Sequence, residues 1–232
     1  MLIKNEKGFT LVEFLVSLLL TAIVMSAVYS VYRVQTHSVK RQAGDLEAQE
    51  YARAVVDMMV REIRNVGYFP AGACTSPTNT NGIVTAAAQS FQFVYDADAL
   101  NGCAGTNENI TYAFATTGCA TGFGDITRKD GSNTAEALTD CNVPTGTGNF
   151  SFVYYPQQTT SSAPAPYCYA SAGDLTVNTV TCSGIVTANL ANIQRVSINV
   201  IVQSKSADTE FGSTSSATVT SNADLRNRGL PS

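Results

Sequence analysis

The stretch KGFTLVEFLVSLLLTAIVMSAVYSVYRV, Lys7–Val34, decides how the rest of the chain is read. From Phe9 to Tyr32 it holds twenty-four residues and a single charge, Glu13. As a helix this run is about 36 Å long, enough to cross a ~30 Å hydrocarbon core with some tilt. A secretory signal peptide has a shorter apolar region and a small-x-small cleavage site, and no good site follows this run. Lys4 and Lys7 ahead of it favour the cytoplasmic side, so the bulk of the chain is expected outside. A carboxylate costs ~2.5–3.5 kcal/mol at the centre of a membrane helix and less near its end, so Glu13 needs a reason.

Helical spacing resumes in DLEAQEYARAVVDMMVREIRNVGYFP, from Asp45. Tyr51, Val55, Met58, Met59, Ile63 (with Ala54) and Val66 recur at three- and four-residue steps and predict an apolar stripe. Asp57–Arg61 and Glu50–Arg53 are spaced to form supporting ion pairs, and Gly67 and Pro70 are stop signals. His37 to Asp45 is polar but lacks proline, so one long helix, bent near Gly44, is expected rather than two. Beyond Pro70 the period becomes two. Phe91, Phe93 and Tyr95 share a face, as do Ile110, Tyr112 and Phe114; Phe150, Phe152 and Tyr154; and Val196, Ile198, Val200 and Val202. These patterns predict half-buried antiparallel strands. A long helix packed on an antiparallel sheet, with disulfide-pinned loops, is an α+β domain.

Between Pro70 and Gln194 eight acidic residues face two basic ones, Arg128 and Lys129, which argues against a nucleic-acid groove there. Six cysteines follow residue 70, and no two form a C-x-x-C pair, which argues against a zinc ribbon or thioredoxin-like motif. An even number in a Ser/Thr/Asn/Gly-rich region predicts disulfides made in an oxidising compartment. Of the fifteen possible pairings, joining sequence neighbours gives Cys103–Cys119 and Cys168–Cys182, which leaves Cys74–Cys141.

KGFTLVEFLVSLLL, with Gly8, then Phe9, then an apolar helix with Glu13 at its fifth position, resembles the signal of type IV prepilins and type II secretion pseudopilins. The resemblance implies a leader over residues 1–8, cleavage by a prepilin peptidase between Gly8 and Phe9, and N-methylation of Phe9. It implies an assembly helix over 9–32, an amphipathic continuation over 33–69 and a β-rich extracytoplasmic domain over 70–232. Cleavage would leave a positive amine on Phe9, and in a bundle of such helices a neighbour's Glu13 can neutralise it. Breaking such a pair strands a buried charge at roughly 3–5 kcal/mol. The helix YARAVVDMMVREIRNVGYF and the late strand NIQRVSINVIV are similar to minor pilins of the PilW type and, more distantly, to J-type pseudopilins. The resemblance implies a pilin-like α+β fold and a single-pass anchor in the bacterial inner membrane, N-terminus cytoplasmic, before entry into the pilus. The partners it implies are other minor and major pilins, the prepilin peptidase and the inner-membrane assembly platform, with a tip adhesin as a further candidate. The same signal serves a type II secretion piston, which stays open as the alternative.

An enzyme is not expected. The single histidine, His37, lies just beyond the apolar run, far in sequence from any nucleophile, and no phosphate-cradling loop is present. No cofactor is expected. Asp96, Asp98, Asn101 and Glu108 are oxygen ligands of the kind calcium uses, but Leu100 breaks the EF-hand pattern, and an ordinary turn after a strand explains them as well.

Overall fold

The computed structural model describes residues 8–69, 82–96, 108–146, 148–156, 190, 193–204 and 214–226. One helix, α1, runs unbroken over Leu11–Ile63. It passes straight through the apolar run and the polar bridge, because neither contains proline or an unpaired helix end. Gly44, where a bend was expected, lies inside continuous helix. It provides room instead: a Cβ there would come 3.0 Å from Ser204 Oγ. The loop end of the sheet touches the helix at this level, where Ser215 Oγ donates to the Arg41 carbonyl at 3.4 Å.

The two halves of α1 have different surroundings. Every residue from Gly8 to Gln35 is exposed, whereas Ala48, Ala52, Val55, Val56, Met59, Val60 and Ile63 are buried. The buried stripe is rotated slightly from the expected one. Tyr51 and Met58 are 38% and 37% exposed and flank the seam, while small Ala48 and Ala52 let the sheet approach closely. The pairs Asp57–Arg61 and Glu50–Arg53 do not close, since the ion pairs among the described residues lie elsewhere.

Among the described residues nine strands follow: β1 (Ile83–Ala86), β2 (Ser90–Val94), β3 (Asn109–Ala115), β4 (Phe123–Asp130), β5 (Glu136–Ala137), β6 (Val143–Pro144), β7 (Phe150–Pro156), β8 (Ile193–Gln203) and β9 (Ser216–Asp224). They form two antiparallel sheets where one was expected. The first is ordered β1-β2-β3-β4-β5, with β6 also on β4; the second is β7-β8-β9. Helix α1 packs chiefly on β8 and β9. The four strands anticipated from their alternation are present, and Phe91, Phe93, Ile110, Tyr112, Phe150, Phe152, Tyr154, Val196, Ile198, Val200 and Val202 point into one core. Aromatic rings join the sheets: Phe91 lies 5.6 Å from Phe152 and 5.5 Å from Tyr154 between centroids, separations at which such pairs attract. The Phe152 N–H donates to the Ala88 carbonyl at 2.8 Å, stitching β7 beside β2.

The disulfide assignment requires correction. Cys119 is bonded to Cys141, with Cα atoms 5.2 Å apart, which overturns both Cys103–Cys119 and Cys74–Cys141. Antiparallel pairing of Phe123 with Pro144 and Gly124 with Val143 brings the chain before β4 beside the chain before β6. Sequence proximity alone could not reveal that neighbourhood. Closing a loop of 22 residues stabilises by about 3 kcal/mol in the chain-entropy picture. Cys74, Cys103, Cys168 and Cys182, with the Cys168–Cys182 assignment, lie outside the described residues.

The helix hands over to the sheet through two glycines. Gly67, at φ +70°, donates its N–H to the Val94 carbonyl at 3.1 Å, and Val94 N–H donates to the Gly82 carbonyl at 2.7 Å. Gly82 has φ +75°, and a Cβ there would lie 2.3 Å from Gly67 N. Positive φ and a backbone collision act together. Gly82→Ala is expected to destabilise the fold by about 1–3 kcal/mol or more, read as a lowered midpoint of thermal unfolding followed by near-ultraviolet circular dichroism in detergent.

Candidate functional site

The N-terminal segment has a defined geometry. Gly8 and Phe9 precede the helix, both exposed, and a Cβ on Gly8 would meet nothing within 4 Å. Thr10 is the N-cap, in extended conformation at φ −83°, ψ 148°. Its hydroxyl accepts from Glu13 N–H at 3.3 Å, while the Glu13 carboxylate accepts from Thr10 N–H at 3.3 Å and from the Thr10 hydroxyl at 3.2 Å. This reciprocal capping box satisfies N–H groups that a helix start otherwise leaves bare, and it puts a carboxylate at the positive end of the helix dipole. Glu13 therefore has a local role at the helix start. The T-x-x-E spacing is a sequence signature of such a cap and was available to sequence reading, which passed over Thr10.

Above the cap, three hydroxyls of the apolar run are satisfied within the helix. Ser17 donates to the Phe14 carbonyl at 2.9 Å, Thr21 to Ser17 at 2.7 Å and Ser30 to Ala27 at 2.7 Å. Such back-bonding suits a helix in hydrocarbon, where no water can complete a hydroxyl. The helix is long and apolar enough to cross a membrane, and its apolar stretch is not buried against any part of the chain.

A second constellation holds the far end of α1 in place. Glu62 accepts from Tyr112 Oη at 2.5 Å and from Arg128 Nε at 3.2 Å, and it pairs with an Arg128 terminal nitrogen at 3.0 Å. Tyr112 and Arg128 are directly opposed on β3 and β4, so a cross-strand pair presents both donors to one helix carboxylate. Burial, and then the Glu62 charge, push the Tyr112 phenol well above its usual range, and Tyr95 rises for the same causes in the same order. Burial opposes the charge on Arg128, but the hydrogen bond and charge of Glu62 raise its pKa all the same. No spacing rule could reveal this clamp, since its partners lie fifty or more residues apart in sequence.

The oxygen-ligand set falls partly outside the described residues, which exclude Asp98 and Asn101. Asp96 and Glu108 are both fully buried. Asp96 N–H donates to the Tyr68 carbonyl at 2.8 Å and Tyr95 N–H to the Glu108 carbonyl at 3.0 Å, so this corner joins β2, β3 and the helix exit. Among the described residues, the cluster with metal-ligand character is Cys119, Asp125 and Cys141. Its sulfurs are spent in the disulfide, and Asp125 accepts from Cys141 N–H and, at 3.1 Å, from the Thr139 hydroxyl. That carboxylate pins the loop and holds Cys141 at φ +49°. His37 is half-buried on α1.

Two outcomes check the clamp. Glu62→Ala leaves Arg128 facing the core without its counter-charge and is expected to cost about 2–3 kcal/mol, below the ~3–5 kcal/mol of a fully enclosed pair because water still reaches the guanidinium; chemical denaturation measures it. The raised phenols of Tyr95 and Tyr112 bind protons more tightly folded than unfolded. Stability should be flat with respect to them below about pH 10 and fall above it, by at most about 1.4 kcal/mol per pH unit for each phenol. Denaturation midpoints between pH 8 and 11 test this, and Tyr112→Phe should shallow the slope.

Comparison with known proteins bears on the N-terminus. No curated protein and no solved structure gives a significant match to the chain. Residues 3–29 match the family model described as the prokaryotic N-terminal methylation motif, a stretch that contains Gly8, Phe9, the Thr10–Glu13 cap and most of the apolar run. The chain thus carries a type IV pilin-like N-terminus, the signal that pilins and pseudopilins share.

Proposed function

We propose that this chain is a minor pilin of a type IV pilus, a non-catalytic subunit that works in fibre initiation or at the tip by packing its helix against other pilins. The observation that carries this reading is the methylation motif on an accessible Gly8–Phe9 bond ahead of a helix with a wholly exposed apolar half. In this reading the prepilin peptidase cuts after Gly8 and methylates Phe9, and the apolar run anchors the chain in the inner membrane with the sheets outside. The assembly platform then draws the subunit into the fibre, where the helix exchanges lipid for neighbouring helices.

Glu13 has two successive partners in this scheme. Before cleavage it caps its own helix through Thr10. After cleavage an ammonium group stands at Phe9, one residue before the cap, and a subunit that docks correctly offers its own Glu13 to the amine of another. The charge pair forms inside apolar packing, where an unmatched charge is expensive, so correct register is favoured over slipped ones. The resemblance to PilW-type subunits rests on the late strand and the outer helix. The long stretches of small and polar residues between the strands in the sequence suit a tip position, where an adhesin or other minor pilins would be contacted.

The test is intact mass and N-terminal sequencing from cells with and without a prepilin peptidase. A chain beginning at methylated Phe9 only when the peptidase is present is expected; a chain that keeps Met1 in both sinks the reading. Glu13→Ala should still be processed yet be at least about tenfold depleted from sheared fibres, in line with the loss of a buried charge pair. Recovery with secretion-piston subunits rather than fibres would make the chain a pseudopilin.

A further inference from the structure

Where the last turn of α1 meets the end of β9, the surface holds a depression of about 670 Å³. Arg61 and Arg64 reach it from the helix, Arg226 from the residue that follows Leu225, and Tyr68 and Asn65 complete the wall. All three arginines are exposed, and none takes part in the ion pairs formed among the described residues. Asp57 is the acid in the lining, so three positive charges face one negative. Cations in the last turn of a helix complement its negative end, which accounts for Arg61 and Arg64. It does not account for Arg226, which arrives from a different element and converges on the same hollow.

Arg226 is held there by the fold. Leu225, buried in the core, donates its N–H to the Gln194 carbonyl at 2.8 Å, which fixes the chain just before the arginine. The basic groove also contrasts with the sequence around it: from residue 70 to 194 there are eight acidic residues and two basic ones, and one of those two, Arg128, is committed to Glu62.

We propose that this groove is a docking surface for a carboxylate-rich segment of a neighbouring pilin-like subunit, an inference that rests on the pilin reading above. Guanidinium forks match carboxylates in bidentate geometry, and Tyr68, 49% exposed, adds an apolar flank. A membrane headgroup is the wrong occupant. The helix from Tyr32 to Arg61 rises about 40 Å beyond the apolar run, several times the ~8 Å range of charge in physiological salt. A nucleic acid is disfavoured by charge: a strand longer than the groove would cross the surface of a protein with net charge −4. A short acidic segment needs the groove alone.

The test uses the full chain in a neutral detergent and a fluorescein-labelled peptide of about ten glutamates, read by anisotropy at low and high salt. The expected result is saturable, salt-sensitive binding that weakens about tenfold or more in both Arg61→Glu and Arg226→Glu and is unchanged in Lys129→Glu, an exposed cation outside the groove. Absence of binding, equal weakening by Lys129→Glu, or stronger binding of a single-stranded oligonucleotide of equal charge through the same arginines would overturn the proposal. Processing by the peptidase is followed in the same strains. Normal processing with no arginine-dependent binding removes the groove alone, whereas a wild-type chain that is never processed removes the pilin reading beneath it.

Discussion

The whole architecture depends on one unbroken helix with two incompatible environments. From Leu11 to Gln35 every residue of α1 is exposed and most are apolar, and from Gly44 to Ile63 it supplies one wall of a packed core. In water the first half would leave a row of Leu, Val, Ile and Phe exposed at about 25 cal/mol for each Å², so its stable state needs lipid or other helices around it. The second half fixes how the sheets stand relative to that need. Because the helix does not break, any force that positions the apolar half positions the globular half too.

Attachment of the sheets to this helix combines a greasy seam with one polar lock. Ala52, Val56, Met59 and Ile63 are buried to within about a hundredth of their surface, in a cluster shared with β7, β8 and β9. Packing of that kind is strong but tolerates small rotations. Glu62 removes that freedom on the other side, because its carboxylate must meet Tyr112 on β3 and Arg128 on β4 together. The seam joins α1 to the three-stranded sheet and the lock joins it to the larger one. One helix turn thus ties both sheets into a single core.

What sequence reading captured follows from which features have a local period. The helix was legible because hydropathy and the absence of proline are local, and β2, β3, β7 and β8 were legible because large apolar residues alternate in them. β4 was not: in FGDITRKD the buried positions are few, Gly124 and Ile126, and only the second has a side chain. β9 was hidden for the same reason, its buried positions being the small Ala217 and Ala223. The disulfide and the Glu62 clamp are products of strand pairing, so residues far apart in sequence met where no spacing rule could place them. Phe9 and Glu13 were legible through a motif, yet the hydroxyl that links Glu13 to the helix start went unnoticed although its spacing was on view.

That hydroxyl changes how the lone acid is understood. An isolated carboxylate at the end of an apolar helix looks like a cost awaiting a partner. In this chain the partner is already present, since the Thr10 N–H and hydroxyl hold the charge as soon as the helix forms. Glu13 is therefore satisfied at the helix start without any second subunit. In the proposed fibre a neighbour's amine would compete with this cap, whose hydrogen bonds to an exposed carboxylate are worth about 1–3 kcal/mol each, and would prevail where an unmatched charge enclosed by apolar helices is expensive. In that scheme the balance would tip toward exchange only when close packing has expelled water and headgroups. In the proposed fibre, coupling of the charge pair to tight helix packing would thus follow from where Thr10 stands, one residue after Phe9 and three before Glu13.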